Sequence, residues 1–207
     1  MAERMSNADN FWLCMDEPSN LMVITGFMEF EAPLDYNRLC VTIESRLASF
    51  PRFQKKVVLP KTGIGVPTWV TDEHYDLRSH LQRVALPAPG DKTELQEMIA
   101  NLTVTPLDPN KPLWQVHLIE NYGKGCVLFF RIHHCITDGI AGIYVLLSTA
   151  DTEPDAPWPK PAPKKKKTAL SLRTLLPFES MAKRAGHIWS ATLGVGQQVR
   201  KEIETAI

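Results

Sequence analysis

The stretch Cys126-Val127-Leu128-Phe129-Phe130-Arg131-Ile132-His133-His134-Cys135-Ile136-Thr137-Asp138-Gly139 decides how the rest of the chain is read. Its first seven residues are rich in apolar, β-branched and aromatic side chains, the composition of a buried strand. Gly139 to Leu147 is apolar almost throughout and of helix length. The two histidines therefore fall where a strand ends, and the aspartate falls where a helix begins. Thr137 or Asp138 can cap that helix, because a short side-chain oxygen accepts from the free N–H groups of the first turn. A strand end holds its backbone rigidly and aims a side chain into the space above it. Adjacent residues on an extended backbone point to opposite faces, so His133 and His134 cannot share one task.

A histidine titrates near neutrality and suits a general base for a hydroxyl or thiol. The competing reading is a packed, hydrogen-bonded core histidine. A metal site is the weaker alternative: the two rings diverge, and no further His or Cys stands at ligand spacing around them. Cys135 invites a nucleophile reading, but its side chain is expected to face away from His134.

Working outward, Leu113 to Glu120 alternates apolar and polar positions and reads as a strand. Asn121 to Gly125 then turns the chain into the motif strand. Lys92 to Val104 carries Leu95, Met98, Ile99 and Leu102 on one helical face. Residues 21–31 and 53–59 and Thr68 to Thr71 read as strands, and residues 3–19 as a short helix or turn anchored by Phe11-Trp12-Leu13. Asp35 opens a helix with Leu39, Ile43, Leu47 and Phe50 at helical spacing, which Pro51 stops. Leu77 to Val84 fits a helical turn or a strand edge equally. The class expected is α/β, a mixed β-sheet flanked by helices.

Residues 1–150 hold 13 Lys/Arg and 17 Asp/Glu, whereas residues 151–207 hold 10 and 6, so the body is mildly acidic and the tail basic. The formal net charge is zero, and nothing in it favours nucleic acid. Cys14, Cys40, Cys126 and Cys135 form no CxxC pair and read as reduced thiols of a cytoplasmic protein. The N-terminus has no apolar signal core, and no run is long enough to span a membrane. Residues 151–167 contain five prolines and end in Lys164-Lys165-Lys166-Lys167, the composition of an extended linker. Within residues 168–207, apolar positions from Met181 to Ala206 recur at helical steps, an amphipathic helix that packs on protein or, beside the basic run, lies on an anionic lipid surface.

His-His-x-x-x-Asp-Gly resembles the signature of the CoA-dependent acyltransferase superfamily. Pro112-Leu113-Trp114, preceded by Leu107-Asp108, stands upstream of it. Trp69-Val70-Thr71-Asp72, Tyr75-Asp76-Leu77, His80 and Ala85-Leu86-Pro87-Ala88-Pro89-Gly90 follow in an order that makes residues 6–150 similar to the N-terminal half of bacterial wax ester synthase/diacylglycerol acyltransferases. Two positions depart: Gln115 stands where Glu usually follows Pro-Leu-Trp, and Leu21 to Gly26 replaces a Met-His-x-Gly.

The resemblance implies a chloramphenicol-acetyltransferase-like half-domain over residues 1–150. It implies an O-acyltransferase that moves a fatty acyl group from acyl-CoA to a long-chain alcohol or diacylglycerol. Acyl-CoA is then a co-substrate; neither a cofactor nor a metal is implied, and no CoA-binding residue is identified. His134 and His133 are the catalytic candidates, with His134 the base and His133 facing the packed side. Asp138 would be structural and ion-paired with a basic residue, Arg131 being near in sequence. Gly139 would let helix and strand approach closely, and Pro112, Leu113 and Trp114 would be structural. A second half-domain, as a further segment or a separate chain, would close the substrate channel. These 207 residues by themselves are expected to be inactive, and contact with a membrane or lipid inclusion is open. The rival readings are a lipid-binding or scaffold half-domain without turnover, and a condensation-type acyltransferase taking its acyl group from a carrier-protein thioester.

Overall fold

A computed structural model describes residues 2–151, 153 and 156–160. Two sheets share one core. The larger has four strands in the order β2-β7-β6-β5: β2 (Val23–Phe30), β7 (Gly125–His133), β6 (Trp114–Tyr122) and β5 (Leu81–Ala85). The smaller has β1 (Glu3–Arg4), β4 (Thr68–Thr71) and β3 (Lys55–Val58), in the order β1-β4-β3 and antiparallel throughout. The expected α/β class, a mixed sheet with helices, is what forms; the short N-terminal sheet is additional to it. Leu77 to Val84 resolves into a 3₁₀ turn over Leu77–Ser79 followed by β5.

The register of the large sheet explains its sequence. β6 and β7 pair antiparallel from Trp114 opposite Ile132 to Tyr122 opposite Gly125. Every residue of β7 is buried, which is why its run is continuously apolar rather than alternating. Gly125 opens β7 where a side chain would not fit, since an added Cβ would lie 1.8 Å from the Phe30 carbonyl oxygen on β2. β5 runs parallel to β6. Parallel neighbours need a crossover connection, and the intervening segment contains α3 (Lys92–Thr103). Asp91 caps α3 reciprocally with Glu94.

The two faces of the sheet bury different sets. Trp114, Val116 and Leu118 of β6 lie with Leu128, Phe130 and Ile132 of β7 in the main core, together with Phe53, Trp69, Leu39, Ile43 and Leu47. The last three come from α2 (Tyr36–Thr42), capped by Asp35, and from the π-helical turn Ile43–Leu47 that extends it. On the opposite face Ile119, Val127 and Phe129 pack with Leu95, Met98, Ile99 and Leu102 of α3. α1 (Asn7–Cys14) places Trp12 and Leu13 on the main core, and α4 (Gly139–Leu147) follows β7. Most of the linker expected at residues 151–167 and all of the helix expected in residues 168–207 lie outside the described residues.

Candidate active site

β7 ends at His133, and residues 134–136 turn the chain toward α4. Three backbone bonds fix this corner. The His133 N–H donates to the Leu113 carbonyl at 3.0 Å, the His134 N–H to the Met22 carbonyl at 2.8 Å, and the Ile136 N–H to the His133 carbonyl at 2.9 Å. The histidine pair is thereby tied to the start of β6 on one side and the entry to β2 on the other.

The Pro112-Leu113-Trp114 segment lies beside this corner. Leu113 and Trp114 are buried. Trp114 donates its indole N–H to the Phe53 carbonyl at 2.8 Å. Its own carbonyl lies 2.8 Å from Nδ1 of His80, which must therefore donate. The imidazole of His80 stacks on Trp114 at 4.5 Å and Tyr75 stacks on His80 at 5.3 Å. Burial holds His80 below its ordinary pKa, with the Trp114 carbonyl opposing. Through Trp114, which pairs with Ile132, this column sits at the strand end that leads into the motif.

The two histidines have different surroundings. His133 is buried, and its Nδ1 accepts the Cys135 backbone N–H at 3.0 Å. That bond places the proton of the neutral ring on Nε2. Nε2 faces Asp16 Oδ2 at 3.6 Å. Asp16 is itself held by accepting the Met22 N–H at 2.7 Å through its other oxygen. Burial lowers the His133 pKa, Asp16 opposes the shift and His134 adds to it. The ring is a neutral, anchored group.

His134 is half-buried, and its imidazole lies flat on the indole of Trp12, with centroids 4.4 Å apart and planes 20° from parallel. Its Nδ1 is enclosed without a hydrogen-bond partner among the described residues, which leaves Nε2 as the nitrogen that can meet a substrate. Nothing in the sequence pattern pointed to Trp12 or Asp16 as neighbours of the pair. Phe11-Trp12-Leu13 read only as an apolar anchor, and the contacts join residues more than 100 positions apart.

Cys135 is fully buried and burial pushes its thiol up to about 12, so little thiolate forms near neutrality. Asp138 is the N-cap of α4, accepting the Ala141 N–H at 2.7 Å, and it makes no ion pair among the described residues. The pairing that the resemblance implied for it is absent there. Arg131 faces elsewhere: it donates to Gln115 Oε1 at 2.9 Å and to the Thr105 carbonyl. Among the described residues an added Cβ at Gly139 would meet nothing within 4 Å, so no close packing there calls for glycine. Gly142 is tighter, with Thr137 Cγ2 3.3 Å from such a Cβ.

Gln115 therefore keeps a polar contact with Arg131, but as a neutral amide. Arg131 is 1% exposed, its Nε has no partner among the described residues, and burial lowers its pKa. The neighbouring His117 has both ring nitrogens unpartnered among the described residues; burial first, and the Arg131 charge second, hold it at about 4. Among the described residues no group of three or more His, Cys, Asp or Glu could hold a metal, and no helix is long and apolar enough to cross a membrane.

Comparison with known proteins places this geometry in a family. The wax ester synthase/diacylglycerol acyltransferase catalytic domain matches residues 5–207. A Mycobacterium tuberculosis protein named "Probable diacyglycerol O-acyltransferase tgs3" is 32% identical over 149 residues, covering 70% of this chain and 55% of its own. The structure of a wax ester synthase/diacylglycerol acyltransferase from Marinobacter aquaeolei VT8 superposes with a TM-score of 0.57 at 27% identity, over 68% of this chain and 36% of that one. The starter condensation domain of rhizomide synthetase shares the fold, with a TM-score of 0.59 at 15% identity, over 72% of this chain and 38% of that one. The chain spans about a third to just over half the length of the first curated relatives it matches. It belongs to the wax ester synthase/diacylglycerol acyltransferase catalytic-domain family.

Proposed function

We propose that this member of the wax ester synthase/diacylglycerol acyltransferase family carries the general base of an acyl-CoA-dependent O-acyltransferase, and that His134 is that base. The observation that carries the reading is the division of labour in the pair. His133 is buried with Nδ1 committed to the Cys135 N–H. Among the described residues His134 makes no side-chain hydrogen bond, so its Nε2 is uncommitted at the end of a strand tied down on both sides. The names of the relatives support the choice of reaction.

In the proposed step, His134 Nε2 takes the proton of an acceptor hydroxyl as its oxygen attacks the thioester carbonyl. The C–S bond then breaks, and the imidazolium returns the proton to the departing CoA thiolate. A positioned base contributes roughly 10²–10⁴-fold to such a reaction. The acceptor is a long-chain alcohol or diacylglycerol. A long acyl chain gains about 0.8 kcal/mol per buried CH₂, so the proposal includes an apolar wall facing His134 that completes a channel. That wall is supplied by protein outside the described residues.

The test is thiol release and ester formation from acyl-CoA with each acceptor, comparing wild type with His134→Ala. Loss of roughly two orders of magnitude or more in a folded variant is expected. Full turnover by folded His134→Ala would remove His134 from the chemistry.

A further inference from the structure

We propose that Trp12 is a positioning residue for His134: its indole sets the plane of the imidazole and stabilises the imidazolium formed when the ring holds the acceptor's proton. This rests on the reading of His134 as the base. Two near-parallel rings with centroids 4.4 Å apart and planes 20° from parallel stack the imidazole on the π-face of the indole. An aromatic face attracts a cation, tryptophan most strongly. The attraction is therefore greater once the ring is charged, which is the state reached during transfer. The proton itself moves from the acceptor O–H to Nε2 and then to the thiolate, and Trp12 exchanges none.

α1 is built to hold this indole in place. Ser6 caps the helix by accepting the Asp9 N–H at 3.0 Å. Asp9 accepts from Arg52 at 2.7 Å, and the Arg52 guanidinium lies 4.4 Å over the ring of the fully buried Trp69. Leu13 joins Trp12 on the main core. Beyond the helix, Asp16 reaches the other histidine. The charged and titratable groups on the same turn are His133, which faces Asp16 at 3.6 Å, and Cys135, whose charged neighbours are Asp9, Arg52 and Asp16. None of them stacks on His134 among the described residues, so the indole is the contact that sets the plane of the ring.

Three variants test this, in the 207-residue chain for the ring spectra and in that chain together with the half-domain that completes its channel for turnover: Trp12→Phe, Trp12→Leu, and Phe11→Ala as a control on the same helix. Phe11 is exposed and touches Trp12 edge-on at 5.6 Å without reaching the histidine in the stacked pair. In wild type the His134 ring protons should resonate upfield from indole shielding. Trp12→Leu should abolish that shift, Trp12→Phe should keep part of it, and Phe11→Ala should leave it. In the acyl-transfer assay Trp12→Leu should lower kcat several-fold with the KM for acyl-CoA little changed. Trp12→Phe should recover most of that loss. An unshifted wild-type ring, or a folded Trp12→Leu protein with unaltered kcat, overturns the proposal. Full activity in His134→Ala overturns the reading beneath it instead, while the ring-proton shift still decides whether Trp12 orients the imidazole.

Discussion

A buried guanidinium without a carboxylate is costly, and among the described residues Arg131 is in that position. Its two bonds go to neutral oxygens, those of Gln115 and Thr105. Most of the cost of removing a cation from water is met only when an anion sits beside it. Gln115 is half-buried and already aimed at the guanidinium, so a carboxylate there would lose only part of its hydration. Gln115→Glu is expected to raise stability by about 1–2 kcal/mol through a charge-assisted bond, seen as a higher urea midpoint with an unchanged slope. An unchanged or lower midpoint would show that solvent already screens Arg131. The same residue scale shows where sequence reading stops. The departure at Gln115 was visible, but its partner was not, because Arg131 lies sixteen positions away across the β6–β7 pair. Trp12 and Asp16 were further still, brought to the histidines only by the path of α1 and β2.

At the scale of elements, the junction of β7 and α4 was almost fully legible. A continuous apolar run implies a strand buried on both faces, and β7 is buried along its length. An Asp ahead of an apolar stretch implies a capped helix, and Asp138 caps α4. The role carried over for Asp138 needs a different physical basis, since capping rather than ion pairing holds it. That distinction makes opposite forecasts for two substitutions. Asparagine caps about as well as aspartate, so Asp138→Asn should leave the melting temperature nearly unchanged. Asp138→Ala should lower stability by about 1 kcal/mol. A large loss in Asp138→Asn would mean that its charge, not its cap, is what the turn requires. Leu77 to Val84 was ambiguous because eight residues divided between a turn and a strand cannot establish a period, and only pairing with β6 makes Leu81–Ala85 a strand.

Across the whole molecule, the α/β class followed from strands and helices that each carry their own pattern, but the partition into two sheets did not. β1 is two residues long, too short for any periodic signal, and it exists only because Glu3 and Arg4 pair with Trp69 and Thr68. What joins the two sheets is the shared core. Trp69 of β4 and Trp114 of β6 are both fully buried in it. Phe53 lies in the same core: its ring meets Trp114 edge-on at 5.7 Å, and its carbonyl accepts the Trp114 indole N–H. Removing that indole opens a cavity and strands a buried carbonyl, each a recognised source of large destabilisation. Trp114→Ala should therefore cost about 3–5 kcal/mol, a large share of the roughly 5–15 kcal/mol that holds an ordinary domain. It should also uncouple the sheets. In wild type, far-UV circular dichroism and the fluorescence of the remaining tryptophans should report one coincident urea transition, as a single cooperative unit requires. In Trp114→Ala the two probes should separate, with the small N-terminal sheet lost first because fewer strands and shorter pairings hold it. His134 would lose order in that first transition, since Trp12 reaches it from a helix anchored through Asp9 and Arg52 to the small-sheet side. Coincident transitions in the variant, shifted together by the same amount, would show that Trp114 stabilises the core without being what couples its two sheets.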